Sequence, residues 1–398
     1  MTSPRREPAR VAFGEEVDAV KVLDHIVRRA VAMGASDIHI EPKRDTLRIR
    51  FRLDGVMVGQ GSLPLELAPP ITSRVKVLSR IDMTERRLPQ DGQFSLELGD
   101  GELVHLRTST FPAIHGETVV LRVLLGHQLI PAERLGMEAP EVARMRRLVQ
   151  HPSGLILVSG PTGSGKTSTL YSLIRMLDTA ALSVVTLEDP IEVEFADITQ
   201  GQANPRQGFT FAVGLRAILR QDPDVILVGE MRDPETAQIA MQASLTGHLV
   251  LSTLHTSTAV ETVVRLVDLG VEPWIVANSL LAVVAQRLVR VLCAECKEAY
   301  VLDADVLDEG GAPVVAAGTP LFRPIGCAAC HQTGYRGRTG VFEVLELDDE
   351  LRDLVKVHAP KRAYVEHLTS SSFTPLQVAG VRAARAGVTS LEEVLRVT

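Results

Sequence analysis

The sequence predicts an α/β fold built on a parallel sheet and preceded by a smaller α+β domain, and three observations carry that prediction. From Gly154 onward, four short apolar runs, GLILVSG, SVVTLED, DVILVGE and HLVLSTLH, alternate with helical stretches, as expected of parallel strands covered on both faces. Before residue 128 the strands read instead as alternating runs joined by tight turns, as in TLRIRFRLDGVMVGQGSL, the pattern of an antiparallel sheet. One apolar run opens directly into SGPTGSGKTSTL, a glycine-rich connection from strand to helix.

Composition bounds the possibilities. The 398 residues suffice for two or three cores, and 45% hydrophobic residues with a mean hydropathy of +0.13 indicate a packed globular chain. Aromatic residues make up only 4% and the net charge is −7, so neither stacking platforms nor a basic footprint for nucleic acid is present. The 35 Arg against 7 Lys are dispersed along the chain, so functional arginines have to be picked out one by one. The opening MTSPRREPARVAFGEEV has no apolar segment after its charges, which argues against a secretory signal and for a cytoplasmic protein. A reducing compartment in turn argues against structural disulfides.

Taken in order, VDAVKVLDHIVRRAVAMGA reads as a helix that stops near Gly34. DIHIEP and the run through the Asp54-Gly55 turn follow as strands, ITSRVKVLSRI as a helix, and RRLPQDGQFSLEL and VHLRTSTFPAIHGETVVLRVL as further strands. This gives an N-terminal α+β domain over 1–128, a linker entering a helix over 129–150, and the parallel-sheet core over 151–292. WIVANSLLAVVAQRLVRVLC, from Trp274, is interrupted by Asn278, Gln286, Arg287 and Arg290, so it reads as an amphipathic helix and not a membrane span. A cysteine-bearing segment over 293–330 follows, with an irregular DEGGAPVVAAGTPLF inside it, and 331–398 closes with helices.

Gly160, Gly165, Lys166 and Thr167 satisfy G-x-x-x-x-G-K-[ST] in the required strand-loop-helix context. The loop of Gly160, Pro161, Thr162, Gly163, Ser164, Gly165, Lys166, Thr167 and Ser168 is expected to wrap nucleotide phosphates in backbone N–H groups at a helix N-terminus. Lys166 then reaches the β- and γ-phosphates and Thr167 holds magnesium; ATP and GTP both fit. DPDVILVGE ends a strand on Glu230, where a phosphate-loop enzyme keeps its magnesium-linked carboxylate. TLEDPIE ends another on Glu188, Asp189 and Glu192, candidates for orienting an attacking water. His248 and His255 flank HLVLSTL, and one of them can face the nucleotide.

The four cysteines, Cys293, Cys296, Cys327 and Cys330, form two C-x2-C pairs. A redox switch needs one accessible pair near a helix start, and buried free thiols have no reason to pair in this way. Two C-x2-C pairs supply four thiolates for a closed tetrahedral zinc site, which leaves no open position for catalysis. The interval between the pairs exceeds common zinc-ribbon spacing, so the intervening chain is expected to form its own excursion. Arg336 and Arg338 can offset the site's negative charge.

Across nearly its whole length the chain resembles the ATPases of type II secretion and type IV pili called GspE, PilB and PilT. ASDIHIEP, FRLDGV, RRLPQDG and IHGETVVLR carry the likeness in the first domain, and SGPTGSGKTSTLYSLI, TLEDPIE, LRAILRQDPDVILVGEMRDPETA, TGHLVLSTLHT, AQRLVRVLC and GYRGRTGVFEVL carry it in the second. The resemblance implies a RecA-like ATPase core behind a PAS-like domain, ATP with Mg2+ as the nucleotide complex, and homo-hexamers that work at inner-membrane platform proteins as peripheral cytoplasmic motors. By position it makes Glu188 the water-activating acid of the Asp box, Glu230 the Walker B acid and His255 the His-box residue near the γ-phosphate. Arg107, Arg122, Arg216 and Arg220 match arginines that complete neighbouring sites in the ring. Ser257 stands where the family usually has Asn, SSFTPLQVAG replaces a more charged pattern, and the chain begins almost at the second domain of full-length GspE and PilB. GspE and PilB carry a tetracysteine and PilT generally does not, which favours a secretion or extension motor. A nucleic-acid translocase of the same core lacks its expected basic, aromatic-lined channel here, and a nucleotide-gated adaptor without turnover predicts loss of Lys166, Glu188 or Glu230, all of which are present.

Overall fold

The structure is a computed structural model that describes residues 18–98, 103–124, 129–307 and 313–398. The chain divides into two compact units, residues 1–127 and 128–398.

In the first unit, α1 (Ala19–Ala32) and α2 (Ala68–Leu78) pack on a sheet of β1 (Ala35–Pro42), β2 (Leu47–Leu53), β3 (Val56–Leu63), β4 (Gln90–Glu97), β5 (Leu103–Ala113) and β6 (Gly116–Leu124). The strand order is β3-β2-β1-β6-β5-β4 and every pair is antiparallel. Asp18 caps α1 by accepting from the Val20 N–H, Met33 closes its C-terminus, and Gly34 just beyond takes φ 68°. Asp54 and Gly55 both take positive φ, 48° and 84°, the geometry that matches a two-residue hairpin turn to strand twist. Strand alternation turns Val104, Leu106, Thr108 and Thr110 inward and leaves Arg107 exposed.

A ladder of charge crosses this sheet. The register sets Glu41 opposite Arg48 and Asp37 opposite both Arg52 and Arg122. Glu41 accepts from Arg50 and Arg48, the latter at 2.6 Å, and lies 3.1 Å from Lys43. Burial alone would raise the Glu41 carboxyl, but its hydrogen bonds from Arg50, Arg48 and Lys43 outweigh that and hold it down at about 2.

The second unit contains α3 (Ala139–Leu148), β7 (Gly154–Ser159), α4 (Lys166–Ile174), β8 (Val184–Glu188), β9 (Thr199–Gln202), α5 (Phe211–Ile218), β10 (Val225–Val228), α6 (Pro234–Leu245), β11 (Leu249–Leu254), α7 (Ala259–Asp268), α8 (Pro273–Ser279) and β12 (Leu280–Leu292). It continues through β13 (Glu298–Val301), β14 (Val306–Leu307), β15 (Pro313–Val315), β16 (Pro320–Arg323), β17 (Tyr335–Glu346), α9 (Asp349–Lys356), α10 (Lys361–Thr369), α11 (Leu376–Arg385) and α12 (Leu391–Val397). The main sheet runs β17-β12-β7-β11-β10-β8-β9 and is parallel except for β17, which is antiparallel to β12. Leu155 and Leu157 of β7 face a core shared with α5 to α8, whereas Ile156 and Val158 face the opposite core with α3 and α4. Both faces of the sheet are therefore covered, as continuous apolar strands require.

The stretch after Trp274 corrects the expectation of one amphipathic helix. Helix α8 stops at Ser279, and residues 280–292 are a strand buried on both faces between β7 and β17. Val283, Val284, Val289 and Val291 favour extended backbone, and pairing with β7 decides the conformation. The sheet also does not end with β12, because β17 rejoins it after the cysteine segment. Residues 308–312 of that segment lie outside the described residues. Its described part forms two small antiparallel pairs, β13 with β16 and β14 with β15, against α11 and α12.

Replacing Glu41 by Gln should lower the unfolding free energy near neutral pH by about 1–3 kcal/mol, the worth of hydrogen bonds to a charged group. The native carboxylate contributes stability above its unfolded value of 4.5 and loses it as pH falls towards about 2. The gap between variant and wild type should therefore close over that window, as measured by urea titration at a series of pH values.

Candidate active site

Four parallel strands bring the predicted acids and the phosphate loop to one edge of the sheet. The registers align Ser159 with Leu254, Ser252 with Val228, and Val228 with Leu187. Gly160 therefore follows the end of β7, Glu188 ends β8, Glu230 lies two residues beyond β10, and His255 lies one beyond β11. Carboxyl ends of parallel strands are where open α/β sheets place their ligands.

The loop itself depends on glycine. Gly160 has φ 147°, and a Cβ there would fall 2.6 Å from both the Gln286 carbonyl and the Ser164 hydroxyl. Gly165 has φ 88° and leads straight into α4. Lys166 Nζ donates to the Gly160 and Pro161 carbonyls at 2.8 and 3.1 Å, and burial depresses its pKa to about 8, with Glu230 opposing the shift and Arg287 adding to it. The ammonium is thus still charged at neutral pH. Pro161, Thr162, Gly163 and Thr167 are exposed, Ser164 is buried, and Ser168 is half-buried.

Glu188 is only 3% exposed. Its carboxylate accepts from Tyr171 Oη, from Thr186 Oγ1 at 2.6 Å and from Gln200 Nε2 at 3.1 Å. Burial, with Glu188 beside it, pushes the Tyr171 phenol well above its ordinary value, so it remains a donor. Glu230 lies 2.6 Å from Arg232 Nε and 3.5 Å from His255 Nε2. Glu230 and His255 are thus brought together, and Arg232, which the sequence reading passed over, joins them. His248 sits at the other end of β11, with Nδ1 3.0 Å from the Ala243 carbonyl, away from the phosphate loop.

Two further residues escaped the sequence reading. Gln286 lies against the phosphate loop, and Arg287 donates to the carbonyls of Gln286, Ser257 and Val397 at 3.0, 2.9 and 2.9 Å. Its neighbour Glu343, on β17, accepts from the first amides of α7 and α11, Ala259 N at 2.7 Å and Leu376 N at 2.9 Å. These contacts tie the chain just after His255 to the C-terminal helices. Of the four candidate arginines, Arg107 and Arg122 oppose each other on β5 and β6, and Arg122 Nε donates to Asp37 at 2.9 Å. In the second unit Arg216 pairs with Glu235 at 2.6 Å, and Arg220 donates to the Arg216 carbonyl.

The four cysteine sulfurs all lie within 4.8 Å of one another, and the pairs 293/327, 296/330 and 327/330 are each 3.8 Å apart. A disulfide needs about 2.05 Å. A tetrahedron with Zn–S bonds of about 2.3 Å has edges of about 3.8 Å. Backbone N–H groups of Cys327 and Gly334 point at Cys330 Sγ, and that of Gly326 points at Cys296 Sγ, as donors to thiolates do. The residues fit a four-thiolate metal site.

A family model described as "Type II/IV secretion system protein" matches residues 15–396. The chain belongs to that family. It is 48% identical over 390 residues to the type II secretion system ATPase E of Vibrio cholerae, covering 96% of this chain and 76% of that protein. Against the type IV pilus assembly ATPase PilB of Myxococcus xanthus the identity is 42% over 384 residues, covering 96% and 68%. Among solved structures, the pilus retraction motor PilT with bound ADP is similar at 25% identity and a TM-score of 0.61, over 94% of this chain and 96% of that one. These likenesses make the chain a secretion-family ATPase, and the strand-end geometry makes this end of the sheet its candidate nucleotide site. Among the described residues no helix is long and apolar enough to cross a membrane.

Removing Arg287 leaves three carbonyls without their donor. Arg287→Ala should cost about 2–4 kcal/mol of stability, read by urea unfolding, and Arg287→Lys should restore only part of it because one ammonium cannot span the same three acceptors.

Proposed function

We propose that this chain is a cytoplasmic ATPase that works as a homo-hexamer to power pseudopilus assembly in type II protein secretion. The single observation that carries the reading is the convergence of Lys166, Glu188, Glu230 and His255 on one sheet edge in a chain 48% identical to a type II secretion ATPase. A type IV pilus extension motor is the second reading, favoured by the 42% identity to PilB.

In this mechanism the loop from Gly160 to Ser168 binds the phosphates of ATP, and Lys166 exchanges its two carbonyl partners for phosphate oxygens. Glu188, fixed by three donors, orients and polarises the attacking water. Thr167 and Glu230 hold Mg2+, which when bound neutralises phosphate charge. His255, beside Glu230, senses the γ-phosphate position. Arg107, Arg122, Arg216 and Arg220 are proposed to complete sites between neighbours in the ring, so that nucleotide state drives domain rotation. Exposed ion pairs such as Arg216 with Glu235 are weak, which suits cations that must change partners. Cys293, Cys296, Cys327 and Cys330 hold Zn2+ in a structural subdomain over 293–330. Inner-membrane platform proteins are the proposed partners, reached from the cytoplasmic side, with no role for nucleic acid.

Glu188→Gln and Glu230→Gln should each lower ATP turnover by about 100-fold or more while ADP still binds, and the Glu230 variant should also need more Mg2+. Wild-type turnover in both variants would refute the assigned roles. Metal analysis should return one zinc per chain, and extraction with a strong chelator should lower thermal stability without abolishing ADP binding. A chain with full stability and no zinc would sink the structural-metal assignment.

A further inference from the structure

We propose that Gln286 is a positioning residue of the phosphate loop, setting the peptide between Ser164 and Gly165 so that the Gly165 N–H faces the nucleotide. This inference rests on the reading of the loop as an ATP site.

The pairing of β12 with β7 sets Ala285 opposite Ser159, so the next residue, Gln286, falls beside the start of the loop. It is 1% exposed. Its Nε2 donates to the Ser164 carbonyl at 2.6 Å, and its Oε1 accepts from Thr169 Oγ1 at 2.7 Å. A carbonyl can only accept, so the amide nitrogen must face Ser164 and the orientation of the amide is fixed. The buried amide therefore recovers its desolvation cost through contacts at both ends.

The physical need for such a contact comes from the glycines. A trans peptide carries its C=O and N–H on opposite sides, and a phosphate loop works only when its N–H groups point inward. Gly163 and Gly165, at φ 81° and 88°, permit that geometry, but glycine populates both hands of φ with similar ease. The Ser164–Gly165 peptide, which turns about the φ of Gly165, can therefore flip. Gln286 holds the carbonyl side of the 164–165 peptide away from the phosphates, and Thr169, three residues into α4, holds Gln286. The contact is close on every side: a Cβ on Gly165 would come within 3.2 Å of Gln286 Nε2. Because the contact acts on the loop before any nucleotide arrives, its loss should weaken binding more than turnover.

The test uses the full chain and measures ADP and ATP affinity by calorimetry alongside kcat and KM. Gln286→Leu removes both contacts at similar volume, and Gln286→Glu can accept from Thr169 but has no donor for Ser164. Both should weaken ADP binding and raise KM by about tenfold or more, the worth of one or two buried hydrogen bonds, while kcat at saturating ATP stays within about threefold. Thr169→Ser should keep wild-type affinity, Thr169→Val should share the defect, and combining Thr169→Val with Gln286→Leu should add nothing. Val284→Ala, which thins the same strand's core contacts without touching the loop, controls for general loosening. Wild-type affinity in Gln286→Leu, or an equal affinity loss in Val284→Ala at matched thermal stability, overturns the assignment. A wild-type chain that binds no ADP overturns the ATP reading itself, and the assignment with it.

Discussion

The parallel pairing of β12 with β7 is the constraint on which the second unit depends. It places Gln286 beneath the phosphate loop and, by strand alternation, sends Arg287 to the other face, towards Ser257 and Val397. It also offers an outer edge to β17, whose Glu343 reaches the starts of α7 and α11. The same ladder explains how two distant cysteine pairs meet. Leu292 opposes Tyr335 at its end, and Cys293 N donates to the Gly334 carbonyl at 3.0 Å. Cys293 and Cys330 thus sit at the mouth of a closed hairpin. Loop-closure entropy grows only slowly with length, so the long interval between the pairs is a small penalty once β12 and β17 are paired.

Buried charge in this unit follows a common rule. Glu188 is held by a phenol, a hydroxyl and an amide, Glu343 by two helix-end N–H groups, and Arg287 by three carbonyls. Neutral dipoles offset part of the desolvation penalty; burial still raises the Glu343 carboxyl and lowers Arg287, and each of these two charges opposes the other's shift. The first unit differs: Glu41 and Asp37 sit among Arg48, Arg50, Arg52 and Arg122, an arrangement whose strength depends on ionisation and therefore on pH.

Much of this was legible in the sequence because the strongest signals were local. The four apolar runs became β7, β8, β10 and β11, the Asp54-Gly55 turn formed as read, and the glycines of the loop announced both the turn and the helix after it. The strand at 280–292 was not legible. Its Gln286, Arg287 and Arg290 gave it polar positions that imitate a helical stripe, and only pairing with β7 and β17 removes the ambiguity. The same long-range pairing hid the importance of Gln286 and Arg287, whose partners lie 122 and 110 residues away in sequence. A run rich in β-branched residues, LLAVVAQRLVRVL, was the available hint. The cysteine cluster was legible through spacing alone, whereas the arginines were not, since an exposed guanidinium leaves no periodic trace of its purpose.

Lys166 shows how these constraints combine. Its ammonium is buried against two loop carbonyls, and burial, with Arg287 adding and Glu230 opposing, depresses its pKa to about 8. In the proposed ATP site an arriving phosphate supplies negative charge to this buried ammonium, so the lysine gains more from it than a solvated one could. That gain is realised only if the loop N–H groups already face the phosphate. A buried ammonium on one side, and a peptide turned by Gln286 on the other, therefore act on the same event from opposite directions, and both trace back to one strand laid beside β7.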